Sequence, residues 1–285
     1  MRGLSSQAAP SLDPRFFPHI TESILFFADY ASLLSARGVC VSMCTLADKA
    51  LSGDTIILKT GLRGRLLCEG PLGNLPFFHP RSKRALQLKA MASTQRVVIT
   101  KTVSVTERLN SLLKALPATC HVRIEHGEVR DQGFCLPEIA SLTITSLPVS
   151  SIPSDNCNCS RLWSRDWRHK AKQVLVECLA QKGTYYWDTP AFGRCQLIAR
   201  ALNAHVQLLE LHSYEAHGFV ADALSSRWRA SFSHYDRVHH RNPGLAIVVR
   251  LKGPHNGGNS IADDFARSFE IDSSQVRVYS TQEQQ

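Results

Sequence analysis

Histidine is the residue type in this sequence that most readily suggests a metal site. The chain contains 12 histidines. The ones that most invite a metal hypothesis are His205, His212, His217, His234, His239 and His240 in its C-terminal part. His212 and His217 are five positions apart, and no His-Glu-x-x-His or paired Cys-x-x-Cys motif accompanies them. We therefore expect no metal ion.

Cysteine could serve as a metal ligand or as a nucleophile. Cys157 and Cys159 have one residue between them, and neither Cys135 nor Cys178 completes a zinc-binding spacing. A nucleophilic serine or cysteine needs a tight turn and a base within reach, and no Gly-x-Ser-x-Gly motif occurs. We expect the nine scattered cysteines to be free thiols. No catalytic residue and no cofactor is predicted, so the protein is not expected to be an enzyme.

The glycine-rich stretch "GPHNGGNS" (253–260) is a candidate phosphate-binding loop because a predicted helix follows it. It lacks the Gly-Lys-Ser/Thr ending of a P-loop, and the order Gly-x-Gly-x-x-Gly is also absent. We interpret it as a surface loop.

Aromatic and basic residues alternate in "SRLWSRDWRHKAK" (160–172), which could stack on bases and contact phosphates. The residues concerned are Arg161, Trp163, Arg165, Trp167, Arg168, His169 and Lys170. Trp163 and Trp167 are four positions apart, so a helix would place both against a sheet with the arginines outside. We favour that structural interpretation. A second aromatic cluster, "TYYWD" (184–188), could anchor a protein partner through Tyr185, Tyr186 and Trp187.

The overall charge of the chain is basic. Its 285 residues include 33 Lys or Arg and 24 Asp or Glu, which give a formal charge of +9. The basic residues are not concentrated in one segment, so nucleic acid is not the expected partner, and nucleic-acid binding is kept as an alternative. No secretory signal and no apolar run of about 20 residues is found, so we expect no membrane association and an intracellular, cytoplasmic or nuclear location.

The elements that must position these residues alternate between strand and helix. Short runs rich in Val, Ile and Leu predict seven strands: 96–100, 121–125, 141–145, 173–178, 206–211, 245–251 and 275–280. Helical spacing occurs at 82–91, 106–116, 189–203, 221–232 and 260–269. Thr106 is the expected cap of the second of these helices. Such alternation predicts an α/β fold with a largely parallel sheet.

The spacing of the first strands is similar to that of leucine-rich repeats. These strands begin at residues 96, 121 and 141, although no segment has the full Leu-x-x-Leu-x-Leu-x-x-Asn signature. We expect an irregular leucine-rich-repeat-like α/β domain, either an open solenoid or a compact α/β layer, with a strand or loop surface available for recognition.

Three short helices are predicted between residues 18 and 53. Ile20 and Ile24 recur at helical spacing, Ser32 is the expected cap of the second helix, and Gly53 is expected to end the third. Isolated helices of this length are marginal in water, so they are expected to pack on a partner.

This N-terminal stretch resembles an F-box, the motif by which substrate receptors dock on the Skp-type adaptor of a cullin-RING ubiquitin ligase. The family pattern is Leu-Pro, an apolar helix, Asp-Leu-Leu, and then Leu-Arg-x-Val-Cys-x-x-Trp. The matching positions are Phe17, Pro18, Ile20, Ile24, Leu25, Phe27, Leu33, Leu34, Arg37, Val39 and Cys40. Ala36 and Met43 stand where the family has leucine and tryptophan. The residues of the motif, and the irregular pattern of strands and helices that follows it, are similar to those of F-box proteins that are numerous in basidiomycete fungi.

The resemblance implies a division into an F-box-like helical motif (14–53), a connecting segment (54–95) and a recognition domain (96–285). It implies that the matching positions contact a Skp-type adaptor, and that the recognition domain presents an unknown protein target for ubiquitination. Eight of these positions are expected to stay partly exposed until the adaptor binds: Phe17, Pro18, Ile20, Ile24, Leu33, Leu34, Val39 and Cys40. The alternatives are a protein-binding scaffold with no ubiquitin link, which Met43 favours, and a basic nucleic-acid-binding protein.

Overall fold

A computed structural model of the chain contains helices in its first half and strands throughout. It describes residues 18–61, 65–78, 83–100, 103, 106–126, 135–146, 168–178, 202–213, 242–252, 262–263, 266–267 and 271–281. Five α-helices are present in these residues: α1 (Pro18–Phe26), α2 (Tyr30–Ala36), α3 (Val41–Ser52), α4 (Arg84–Ser93) and α5 (Glu107–Leu113). Two 3-10 helices span Pro76–Phe78 and Ser273–Gln275.

Ten strands are present in the same residues. They are β1 (Thr55–Thr60), β2 (Leu66–Gly70), β3 (Gly73–Asn74), β4 (Arg96–Ile99), β5 (His121–His126), β6 (Cys135–Ser146), β7 (Arg168–Cys178), β8 (Leu208–Ser213), β9 (Ala246–Lys252) and β10 (Val276–Thr281). They form a single sheet of order β10-β9-β8-β7-β6-β5-β4-β1-β2-β3. The pairs from β10 to β1 are parallel, and β1-β2-β3 is an antiparallel edge.

The prediction of a mixed α/β fold with a largely parallel sheet is confirmed. Each of the seven predicted strand runs overlaps one of the strands β4 to β10. The helices predicted at 82–91 and 106–116 are α4 and α5, and the Thr106 side chain caps α5 by accepting a hydrogen bond from the Leu109 amide at 3.2 Å. The helices predicted at 189–203 and 221–232 lie outside the described residues, except for residues 202 and 203.

One secondary-structure prediction is wrong. The segment 160–172 was interpreted as one whose tryptophans share a helix face, but its residues 168–172 form the first part of strand β7. The apolar spacing of that segment satisfied a helical pattern, but pairing with β6 extends the strand. The two tryptophans themselves lie outside the described residues.

Strand order assigns different roles to the two faces of the sheet. From β4 to β10 each strand lies beside its neighbour in sequence, and the order does not reverse among these strands. Right-handed crossovers added in one direction all pass over the same face. Leu109, Leu112 and Leu113 of α5 are buried in the core with the inward-facing strand residues.

Two rows of aliphatic side chains lie on one face of the sheet, which we call the inner face. The first row is Ile56, Val97, Val122, Leu142, Val174, Leu209, Ile247 and Val276. The second row is Leu58, Ile99, Ile124, Ile144, Val176, Leu211, Val249 and Val278. Neighbouring members of a row come from directly paired positions, so the burial is continuous across the strands.

The N-terminal part of the chain belongs to the same core. Leu33 and Leu51 of the first helices join the cluster that contains Ile56 of β1 and Met91 of α4. Residues 54–95 contribute β1, β2, β3 and α4 to this sheet and core. None of the helices in the described residues has the length and apolarity required to span a lipid bilayer.

We predict that Leu142→Ala destabilises the protein by about 2–5 kcal/mol, because Leu142 is fully buried in the centre of the first row. Chemical denaturation measures the free energy of unfolding. Thr143→Ala is the matched control, because this neighbouring residue points to the opposite face and is half-buried. We expect the control to cost no more than about 1 kcal/mol. Equal losses in the two variants would contradict the assignment of the faces.

Candidate functional site

The N-terminal helices carry the predicted docking residues, and local capping fixes where the helices begin. The Asp29 carboxylate accepts a hydrogen bond from the Ser32 amide at 2.8 Å and is the N-cap of α2. This bond holds the pKa of Asp29 below its usual value. The expectation that Ser32 caps α2 is therefore wrong, because Ser32 supplies the amide and Asp29 supplies the acceptor.

The third helix is bounded by a cysteine and a glycine. Cys40 is the N-cap of α3, and its sulfur accepts a hydrogen bond from the Met43 amide at 3.5 Å. Gly53 follows the last helical residue with φ at 52°, in the left-handed region that favours glycine, so the predicted end of this helix is confirmed.

One side of the three helices is buried in the protein's own core. The buried hydrophobic residues on this side are Leu25, Leu33, Ala36, Ala47 and Leu51. Leu33 is 0% exposed and Leu25 is 5% exposed. The expectation that Leu33 stays partly exposed is therefore wrong: its side chain packs inward while that of Leu34 remains 38% exposed.

The helices are attached to the antiparallel edge of the sheet by close contacts. The Tyr30 hydroxyl donates a hydrogen bond to the carbonyl oxygen of Asn74 at 2.7 Å. A Cβ atom on Gly70 would collide with the carbonyl oxygen of Leu51, so glycine allows β2 to approach the end of α3. These contacts fix the helices relative to the sheet.

The other side of the helices exposes large apolar side chains, which we call the exposed apolar set. Its members are Ile20, Ile24, Phe26, Phe27, Leu34, Val39 and Val41. Phe27 is 84% exposed, and its ring contacts that of Phe26 edge-to-face with 5.3 Å between centroids. Apolar side chains exposed together are a common mark of an interaction site.

Five of the predicted docking residues belong to this set: Ile20, Ile24, Phe27, Leu34 and Val39. Cys40 is also exposed. Phe26 and Val41 are as exposed as their neighbours but were not among the predicted docking residues. Both lie beside predicted positions, and a helical wheel of so few residues could not divide them between faces. Phe17 lies outside the described residues.

Arg37, another predicted docking residue, pairs with a residue of the same chain. Its Nε donates to Asp48 Oδ1 at 2.6 Å and so joins the end of α2 to α3. The Arg37 and Asp48 side chains are only 24% and 14% exposed. Burial raises the pKa of Asp48, and the Arg37 guanidinium partly offsets this rise.

The candidates for metal binding and covalent chemistry do not come together in the described residues. In that part of the chain, no group of three His, Cys, Asp or Glu side chains is placed to hold a metal ion. His205 is exposed, and His212 pairs with Glu210. Cys157, Cys159 and the remaining histidines of the C-terminal group lie outside the described residues.

The cysteines whose side chains are described carry free thiols: Cys40, Cys44, Cys68, Cys120 and Cys135. Burial raises the pKa of the Cys120 thiol to about 11 and raises that of Cys68 as well. Both thiols are therefore neutral at physiological pH, whereas a cysteine nucleophile needs a thiolate.

The other sequence candidates lie largely outside the described residues. Residues 160–167, 184–188 and 253–260 belong to this group. Within strand β7, His169 is buried and Lys170 is exposed.

Two comparisons, with family models and with curated proteins, bear on the identity of this chain. No family model matches it. A search of curated proteins also finds no match. What the structure itself defines is a mixed α/β protein with a largely parallel sheet and an exposed apolar set on its N-terminal helices.

We predict that Arg37→Ala destabilises the protein by about 1–3 kcal/mol at neutral pH, because a largely buried carboxylate loses its partner. Without Arg37 the pKa of Asp48 in the folded state rises further above its unfolded value. Ionisation of Asp48 then destabilises the folded variant. The loss of stability relative to the wild type is therefore largest at neutral pH and becomes smaller as the pH falls through the folded-state pKa of Asp48. Denaturation curves at several pH values measure the difference in the free energy of unfolding between the wild type and Arg37→Ala.

Lys49→Ala is the matched control for this prediction. Lys49 pairs with Glu22 at 3.2 Å, but both side chains are exposed. Removing an exposed pair costs about 0.2–1 kcal/mol, so the loss of stability is expected to be smaller than in Arg37→Ala. An Arg37→Ala deficit that does not change with pH would contradict the role given to Asp48.

Proposed function

We propose that this protein is an F-box-type substrate receptor, which docks on a Skp-type adaptor through α1 to α3 and presents a protein target through its sheet. The single observation that carries the proposal is the two-sided packing of these helices. Their inner side is fixed in the core, and their outer side exposes Ile24, Phe27 and Val39 at 61%, 84% and 71%. The match of these positions to the F-box pattern supports the proposal.

The exposed apolar set has the chemistry that a protein partner would cover. Fully burying a large apolar side chain contributes about 1.5–3 kcal/mol relative to leaving it exposed. The set spans all three helices and the turn between α2 and α3, and it includes two aromatic rings, which are common anchors at protein interfaces.

The fold supports a recognition role for the remainder of the chain. Strands β4 to β10 follow one another without reversal, which is the arrangement of a one-directional repeat such as an irregular leucine-rich repeat. In such a receptor the mechanism is proximity. Holding a target near the ubiquitin-transfer machinery raises its effective concentration there, and this chain need not perform covalent chemistry.

A binding scaffold without a ubiquitin link is the second candidate function. The observation in its favour is Met43, which stands where the F-box pattern has tryptophan and packs against the core. In that case the exposed apolar set would bind a different protein, and the chain would not bind the Skp-type adaptor.

Co-expression with a Skp-type adaptor tests the proposed function. We predict a stoichiometric complex that survives affinity purification and size-exclusion chromatography. The double variant Ile24→Asp with Phe27→Asp is expected to weaken the complex at least about tenfold, because two exposed apolar contacts are replaced by charges. Both positions are exposed, so the variant should still fold.

The matched control is Leu72→Asp, which places the same charge on a side chain that is 45% exposed and outside the three helices. This variant is expected to keep the complex. Leu33→Asp is unsuitable because it would bury a charge in the core. A folded wild-type chain that does not bind the adaptor would exclude the receptor function and favour the scaffold.

A further inference from the structure

The outer face of the sheet, opposite the two aliphatic rows, carries mainly polar side chains in register. One row consists of Glu125, Thr145, Glu177, His212, Arg250 and Tyr279. The adjacent row consists of Arg123, Thr143, Leu175, Glu210, Val248 and Arg277. Because side chains alternate along a strand, both rows point away from the aliphatic core.

Acidic and basic groups are exposed unequally on this face. The carboxylates of Glu177 and Glu210 are recessed, with side chains 16% and 17% exposed. Their arginine partners, Arg123 and Arg250, are 43% and 45% exposed. The groups that a ligand meets first are therefore the guanidinium groups.

Glu210 holds Arg250 in place. Its Oε1 accepts a hydrogen bond from Gln173 at 3.0 Å, and its Oε2 lies 3.2 Å from His212 Nε2 and 3.6 Å from Arg250 Nε. The guanidinium carbon of Arg250 also lies 5.3 Å from the centroid of the Tyr279 ring. Arg250 is thus held from two sides, and its terminal nitrogens have no acceptor among the described residues.

Arg277 completes a cluster with these residues. It lies two positions before Tyr279 on β10, on the same face, and it is paired in register with Val248. Arg277 is exposed, and no acceptor for it is found in the described part of the chain. Tyr279 is 42% exposed. Two arginines and one aromatic ring therefore point outward at one edge of the sheet; we call Arg250, Arg277 and Tyr279 the arginine-tyrosine cluster.

We propose that the arginine-tyrosine cluster binds an acidic peptide segment of a protein partner. Guanidinium groups bind carboxylates through paired hydrogen bonds, and an exposed tyrosine offers contact to an adjacent apolar side chain. Identifying that partner as the target of a ubiquitin ligase receptor rests on the proposed function, whereas the binding itself does not.

The recessed carboxylates favour a peptide over nucleic acid. Glu125, Glu177 and Glu210 lie among the arginines on the same face. A continuous phosphate backbone crossing this face would run close to these negative charges. A peptide that places separate carboxylates opposite Arg250 and Arg277 avoids that repulsion.

Fluorescence anisotropy with the full chain tests the proposal. The probe is a fluorescein-labelled peptide of repeating Glu-Gly-Leu units, compared with the same peptide carrying Gln in place of Glu and with single-stranded oligothymidine of similar length. We expect the Glu peptide to bind and the Gln peptide to bind at least about tenfold more weakly. Failure of the Glu peptide to bind, equal binding of the Gln peptide, or tighter binding of oligothymidine would overturn the proposal.

Two variants test the residues of the cluster. Arg277→Gln is expected to weaken binding of the Glu peptide about tenfold without changing the thermal unfolding temperature, because Arg277 is exposed. Arg250→Lys keeps the charge but removes the planar fork, so it is also expected to weaken binding.

Arg96→Gln is the matched control, because Arg96 is an exposed arginine on the outer face of β4, six inter-strand spacings or about 29 Å from β10. Equal effects of Arg277→Gln and Arg96→Gln would mean that only total charge matters and would overturn the proposal.

The two proposals fail in distinguishable ways. Peptide binding is measured without adaptor, and the adaptor complex is measured without peptide. If Arg277→Gln retains the adaptor complex while the wild-type chain does not bind the Glu peptide, the arginine-tyrosine cluster is refuted and the receptor function stands. If the peptide binds while the adaptor does not, the cluster is supported and the receptor function is refuted.

Discussion

The two rows of aliphatic side chains on the inner face are the interaction on which the rest of the structure depends. Each row runs through parallel strands from β1 to β10, so a side chain such as Leu142 contacts paired neighbours on both sides. Because these rows concentrate the aliphatic burial on the inner face, the outer face can carry polar and charged side chains. Its side chains can then pair with one another and meet a ligand.

The same core also stabilises the N-terminal helices, which would be marginal alone. Leu33 and Leu51 contribute to it, and Gly70 lets the backbone of β2 approach the end of α3. Because the inner side of the helices already packs in the core, the fold does not require the apolar side chains on their outer side. An apolar side chain such as Phe27 left 84% exposed on anchored helices is more informative about a partner than the same residue on a frayed segment would be.

Much of the fold could be predicted because strand composition and alternation are local signals. Runs such as 121–125 and 245–251 identify their strands without knowledge of the neighbours. The proposed docking residues could be located to three helices but not divided between two sides. Leu33 and Leu34 are adjacent, and only the position of the sheet determines which one is buried. The arginine-tyrosine cluster could not be predicted, because Arg250 and Tyr279 meet through strand register.

The sheet also fixes the distance between the two proposed sites. The helices attach at the antiparallel edge beside β1 and β2, and the cluster lies on β9 and β10 at the opposite edge. Seven inter-strand spacings separate β1 from β10, a span of about 34 Å. A tether raises effective concentration only when its length and stiffness suit the sites that it joins. A sheet with a continuous aliphatic core is a stiff spacer, so a target bound at the cluster would be held at a defined distance from an adaptor bound at the helices.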